Sequence, residues 1–321
     1  MSNFKIYDGK ELFEKEFPPR GFIIENIIKE KDTMMVVGTP KAGKSLFTLQ
    51  LVMSVTSGEP FLGQYEVKKP LNVLYVASEG EIEDWQNRMR RMHKYLDFDI
   101  SKFKFNYTSP LSLHKSSGDF VKGIIGAYQG EKPGLLILDP VYMMMIGGSL
   151  SDDGVVREFN AKVRVLKDVL GCSVILVHHT RKPQRNKAGE MVIEDGTSNF
   201  FGSQMFYAFV DHMLYFDHNK KDDTREFACT GQRSGDIVRQ QKVRLIEPDP
   251  LYFELAEDLP FNKEAMIFEY LKSRGQRTWE DIVRDLDMSK TSFFRWARKL
   301  KQDGRIATTT SHERPVYWHV K

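Results

Sequence analysis

Short apolar runs recur along this chain at residues 33–38, 72–78, 134–139, 172–178 and 211–217, each the length of one buried strand. Between them, at 44–56, 81–95, 117–129, 155–169 and 200–209, apolar residues follow the spacing of a helix with one buried face. Strands alternating with helices in this way predict an α/β fold, a mainly parallel sheet flanked by helices. Residues 222–247 break the alternation and read as paired strands: Thr224 to Thr230, a turn from Gly231 to Gly235, and Val238 to Leu245. The α/β pattern therefore spans 31–247. A lead-in over 1–30, interrupted by Phe17-Pro18-Pro19, precedes it. A linker over 248–261 follows, opened by Glu247-Pro248-Asp249-Pro250.

The pattern changes over 262–321. Ala265, Ile267, Phe268 and Leu271 share one face of a helix from Glu264 to Arg274, and Trp279 to Leu286 is a second, shorter one. Ser289 is a good N-cap for a third, Lys290 to Gln302, which Asp303-Gly304 ends. Two short strand patterns, Arg305 to Thr309 and Val316 to His319, complete the segment. Three helices and a hairpin in this order predict a small winged helix-turn-helix domain. Its third helix carries Lys290, Arg295, Arg298 and Lys299 as candidate DNA contacts. A protein–protein module of the same fold is the alternative.

Charge sharpens this division. Residues 262–321 hold 13 Lys and Arg against 8 Asp and Glu, while the rest of the chain holds 34 against 36. The basic excess is thus confined to the C-terminal segment, which points that end at a polyanion. No apolar run reaches the length of a membrane span, and the first ten residues lack a signal-peptide core, so a cytoplasmic protein with no membrane partner is expected. Cys172 and Cys229 stand far apart in strand-like segments and read as inert thiols in a reducing compartment.

The chemistry begins at Gly38-Thr39-Pro40-Lys41-Ala42-Gly43-Lys44-Ser45, which matches G-x-x-x-x-G-K-[ST] between the strand Met34 to Val37 and a helix opening at Leu46. The glycines let backbone N–H groups turn toward a phosphate, and the helix N-terminus adds a favourable dipole. Lys44 reaches the β- and γ-phosphates, and the Ser45 hydroxyl joins the Mg2+ shell. The chain is expected to bind ATP with Mg2+.

Hydrolysis needs further parts. Leu135-Leu136-Ile137-Leu138-Asp139 is an apolar strand ending in a carboxylate, the Walker B form, and Asp139 is the second candidate for the metal. Glu79 ends the strand Val73 to Ser78 and is the candidate catalytic base, since functional groups gather at the carboxyl ends of parallel strands. Glu81, Glu83 and Asp84 read instead as acids of a helix first turn. His178 and His179 end another strand and must point to opposite faces, so at most one reaches the nucleotide. Neither has partners at metal-ligand spacing.

Together these motifs resemble RepA-like hexameric replicative helicase ATPases of the RecA fold, the plasmid and phage type. The similarity covers roughly 18–245. It includes Ser57-Gly58-Glu59-Pro60-Phe61-Leu62-Gly63, Asn72-Val73-Leu74-Tyr75 followed by Glu79, Leu138-Asp139-Pro140, Val177-His178-His179-Thr180, and Gly202-Ser203 ahead of Asp211. The resemblance implies a RecA-like domain in a homo-oligomer, expected as a hexameric ring, with the lead-in serving oligomerisation. It makes His179 the γ-phosphate sensor, with His178 second, and Arg233 of Gln232-Arg233-Ser234-Gly235 the finger reaching a neighbour's ATP. Many relatives carry a lysine two positions earlier, where this chain has Gly231. It implies DNA-facing loops at Met143 to Ser149 and at Arg181 to Ser198, the latter with Arg181, Lys182, Arg185 and Lys187 on single-stranded DNA.

The reading expected from all this is an ATP-driven DNA motor, a replicative helicase that translocates on single-stranded DNA. Duplex DNA would meet the winged helix, and a primase or initiator would be a separate protein. Two readings stand beside it: a regulator or helicase loader switched by ATP, and a recombinase-like ATPase.

Overall fold

The computed structural model describes residues 6–96, 98–107, 122–123, 126, 131–145, 149–179, 184–185, 191–192, 205–219, 223–230, 241–256, 263–286, 290–310 and 316–320. They fall into two compact units, Met1–Leu255 and Ala256–Lys321.

The first unit opens with the helix Gly9–Glu14 and the short strands β1 (Phe22–Ile24) and β2 (Ile28–Lys29). Seven strands follow: β3 (Thr33–Gly38), β4 (Val73–Ala77), β5 (Phe103–Tyr107), β6 (Leu135–Asp139), β7 (Ser173–His179), β8 (Gln184–Arg185) and β9 (Met191–Val192). Four more complete it: β10 (His212–Asn219), β11 (Thr224–Thr230), β12 (Gln241–Ile246) and β13 (Tyr252–Leu255). Among the described residues the main sheet has nine strands in the order β13-β12-β11-β10-β3-β7-β6-β4-β5. From β10 to β5 neighbouring strands are parallel, and β10 to β13 pair antiparallel. This is the α/β architecture expected of the sequence, a large, mostly parallel sheet flanked by helices.

Period-two alternation in fully buried strands explains why both faces are covered. Met34, Val36, Tyr75, Ile137, Ile175 and Phe216 face one side, with Phe47, Leu51 and Val55 of the helix Lys44–Ser57 and Trp85 and Met92 of the helix Ile82–His93. Met35, Val37, Leu136, Leu138 and Leu176 face the other, with Val156, Phe159, Val163 and Leu166 of the helix Asp153–Leu170 and Phe206 of Met205–Phe209. Phe47 lies at the centre of an aromatic group, with ring centroids 4.3 Å from Phe216, 5.2 Å from Phe61 and 5.6 Å from Phe253. Truncating so enclosed a ring to alanine costs about 3–5 kcal/mol.

Several sequence expectations need correction. The lead-in over 1–30 does not stay outside the domain, because Ile23, Ile24, Ile27 and Ile28 are buried in its core. The linker expected over 248–261 contains β13, which pairs with β12 from Val243↔Leu255 to Ile246↔Tyr252 and so belongs to the sheet. Gln50 holds that strand from the phosphate-loop helix: its Nε2 donates to Phe253 O at 2.7 Å and its Oε1 accepts from Phe253 N at 2.6 Å. β5 adds an edge strand whose alternation, Phe103-Lys104-Phe105-Asn106-Tyr107, is not the continuous apolar run of the central strands. The helix expected over 117–129 lies largely outside the described residues, and of 200–209 only Met205–Phe209 is described.

The second unit holds the helices Lys263–Arg274, Trp279–Asp285 and Lys290–Gln302, with β14 (Arg277–Thr278), β15 (Ile306–Thr310) and β16 (Val316–Val320) in the antiparallel order β14-β16-β15. Ile267, Leu271, Ile282, Phe293, Ala297, Leu300, Ile306 and Trp318 form its core. Thr278 caps the second helix, its Oγ1 accepting from Asp281 N at 3.2 Å. Ser289 lies outside the described residues. No helix among the described residues is long and apolar enough to cross a membrane.

Candidate active site

Parallel register brings the expected residues to one edge of the sheet. β3 and β7 align Gly38 with His179, and β4 and β6 align Ala77 with Asp139, so the strand ends that carry the loop, Glu79, Asp139 and His179 finish together. Between Gly38 and Lys44 the backbone folds through left-handed conformations at Lys41 (φ 63°) and Gly43 (φ 102°). Gly38 has no room for a side chain, because a Cβ there would lie 1.8 Å from Phe216 O. Ser45 and Leu46 continue into the helix Lys44–Ser57.

Lys44 is buried, and its Nζ donates to Gly38 O at 2.9 Å and Thr39 O at 2.8 Å. His179 Nδ1 lies 2.9 Å from the same nitrogen. An ammonium has only protons to give, so Nδ1 is the acceptor and the imidazole proton sits on Nε2. Burial pushes Lys44 down to about 8 against the pull of Asp139, Asp217 and Glu79. Burial and the Lys44 charge push His179 down to about 4, which keeps the ring neutral at pH 7. His178 points the other way, fully buried with its ring 5.2 Å from Phe206.

Asp139 is buried at the end of β6. Tyr75 Oη donates to its Oδ2 at 2.5 Å, and the Ser45 hydroxyl is near enough to favour the ionised carboxyl. Burial raises Asp139 above the usual carboxylate range, while the two hydroxyls and Lys44 hold it down. Glu79 follows β4, its carbonyl accepting from Trp85 Nε1 at 2.9 Å. Tyr142, in the short 3-10 turn Val141–Met144 after β6, is pushed up to about 12 by burial and by the nearby Glu79 carboxylate. Its ring centroid lies 5.5 Å from that of His179.

The sequence reading missed three partners: Tyr75, Tyr142 and Asp217. Thr39 Oγ1 donates to Asp217 Oδ1 at 2.5 Å, tying the loop to β10. Met213-Leu214-Tyr215-Phe216-Asp217 has the same form as Leu135 to Asp139, an apolar strand ending in an acid, and that form was the available signal. Asp211, grouped with the family pattern, serves the opposite end of β3, where its Oδ2 accepts from Thr33 N at 2.8 Å.

Arg233, Arg181, Lys182 and Lys187 lie outside the described residues, as do parts of both expected DNA loops. Arg185 is described only as backbone in β8. Lys290 and Arg298 are exposed on the third helix of the C-terminal unit, and Lys290 Nζ sits 4.3 Å above the Trp279 ring. Arg295 and Lys299 belong to that helix, but their side chains are outside the described set.

The site's residues fit a magnesium nucleotide. Lys44 is a buried cation whose hydrogen-bond partners are two carbonyls and a neutral ring, so a phosphate would give it a charged partner at hydrogen-bond distance. A buried carboxylate beside a serine hydroxyl is the hard-oxygen pair that Mg2+ takes.

Known proteins were compared with this chain by family, by sequence and by structure. The family model described as an AAA domain matches residues 7–185. Among solved structures, a KaiC-like protein of the hyperthermophilic archaeon Pyrococcus horikoshii is similar at 14% identity, over 73% of this chain and 93% of that one, with a TM-score of 0.47. No curated protein matches.

Proposed function

Since this chain belongs to the AAA domain family and carries the phosphate loop of a P-loop ATPase, we propose that it is an ATP-dependent DNA motor of RecA type, a RepA-like helicase that assembles as a ring on single-stranded DNA. In this reading Lys44 and the loop amides hold the phosphates, and Ser45 and Asp139 hold Mg2+. Bound there, the ion offsets charge on the phosphate oxygens. Glu79 takes the proton of the attacking water, His179 meets the γ-phosphate once Lys44 turns to the nucleotide, and Arg233 serves the site of a neighbouring copy.

One observation carries the DNA half of the proposal: the C-terminal unit. Its order of helix, short strand, two helices and two strands, with β14 beside β16, supports the winged-helix reading, as do exposed Lys290 and Arg298 on its third helix. The same observation favours a second reading, a regulator or loader that uses ATP as an assembly switch. A labelled single strand and a labelled duplex, titrated with protein with and without a non-hydrolysable ATP analogue, distinguish the two. The motor predicts nucleotide-dependent binding to the single strand that weakens steeply with salt. Binding to duplex alone, strengthened by the analogue, supports the ATP-switched regulator.

A further inference from the structure

We propose that Tyr75 is a positioning residue for Asp139, holding that carboxylate in the orientation that presents it to the metal. The inference rests on the reading of Asp139 and Ser45 as the Mg2+ pair and extends it to a side chain that acts through that carboxylate.

The strand geometry explains why a tyrosine stands there. β4 and β6 are parallel, with Tyr75 opposite Ile137 and Ala77 opposite Asp139. Tyr75 and Asp139 are thus diagonal neighbours on one face, a span of about 7–8 Å between backbones that only a long side chain closes. The ring lies against Trp85 and Phe105, with centroids 5.2 Å and 5.7 Å away, so its direction is fixed. Every other residue of β4 is aliphatic, and phenylalanine would fill the same space. A hydroxyl in so dry a place is costly unless bonded. This one donates to Asp139 Oδ2 at 2.5 Å and lies 3.5 Å from Ser45 O, on the residue that carries the other metal-binding oxygen.

One effect follows: Oδ2 is committed to the phenol, which fixes the carboxylate plane and leaves Oδ1 for the ion the site would hold. Partners that orient a metal ligand in this way commonly contribute 10–100-fold in metal affinity.

The test uses the full-length protein with a non-hydrolysable ATP analogue and follows Mn2+ binding by electron paramagnetic resonance. Tyr75→Phe is expected to weaken Mn2+ binding by about 10–100-fold. Affinity for a fluorescent ATP analogue in EDTA should stay within about 2-fold of wild type, which shows that loop and fold are intact. Added to Asp139→Asn, the same substitution should weaken Mn2+ binding no further, because Tyr75 acts through that carboxylate. Unchanged Mn2+ affinity in Tyr75→Phe, while Asp139→Asn loses it, overturns the positioning role alone. Unchanged affinity in Asp139→Asn overturns the metal reading and this proposal with it. Equal losses from Tyr75→Phe in wild-type and Asp139→Asn backgrounds make Tyr75 an ordinary core residue.

Discussion

Lys44 Nζ and His179 Nδ1 lie 2.9 Å apart although 135 positions separate them in the chain. The contact joins the phosphate-binding lysine to the strand end expected to sense the γ-phosphate. Burial lowers both groups, and the Lys44 charge lowers His179 further. Lys44 sits near 8 and, between there and its ordinary value, the empty site is partly uncharged. Nucleotide phosphates prefer the protonated lysine. Apparent affinity for ATP should therefore be flat below pH 8 and fall as pH rises above it, by up to about tenfold per unit. Titrating a fluorescent ATP analogue from pH 7 to 10 checks this. A flat profile would show that Lys44 stays fully charged in the empty site.

His179 predicts a different pH window. Its folded value, about 4, lies below the ordinary 6.5. Between the two the unfolded chain binds the extra proton, so stability is present above 6.5 and is lost as pH falls toward 4. His212, buried and also shifted down, acts in the same direction. Melting curves of His179→Gln should therefore show part, not all, of the wild-type acid loss between pH 6.5 and 4. An identical acid loss in the variant would contradict the neutral ring.

Gln50 predicts a stability effect at a distance from the chemistry. Its two bonds to Phe253 are buried, and without them the N–H and C=O of β13 lose their partner. Gln50→Ala should cost about 2–4 kcal/mol in urea unfolding. A cost under about 0.5 kcal/mol would mean that β12 pairing alone holds the last strand.

The division of catalytic roles predicts distinct defects. Lys44→Ala should lose ATP binding, whereas Glu79→Gln should bind ATP normally and slow turnover by about 100-fold or more. Arg233→Ala should be slow on its own yet partly recover when mixed with Lys44→Ala subunits, because one copy's arginine would complete the other's intact site. Wild-type turnover in Glu79→Gln refutes the assigned base, and mixtures that never recover refute the shared site.

The legible parts of the molecule were those written locally. The apolar strands, the phosphate loop and the strand-end acids each announce themselves within a few residues, and parallel register does the rest by aligning Gly38 with His179 and Ala77 with Asp139. What could not be read were relationships between distant segments. Tyr75 looks like any strand aromatic until β6 places Asp139 diagonally beside it. Asp217 looks like a strand terminus until β10 runs beside β3 and meets Thr39. Tyr252-Phe253-Glu254-Leu255 follows two prolines and has little strand signal of its own; pairing with β12 and the Gln50 side chain make it one. Arg233 lies outside the described residues, so its place in the site rests on the sequence alone.

The most direct measurement is the ATPase rate with and without single-stranded DNA, on protein whose mass is determined by light scattering in the same buffer. A DNA motor predicts turnover strongly stimulated by the single strand, in a species of ring size. Turnover indifferent to single-stranded DNA, in protein that merely assembles on ATP or on duplex, would contradict the motor and leave an ATP-switched DNA-binding protein.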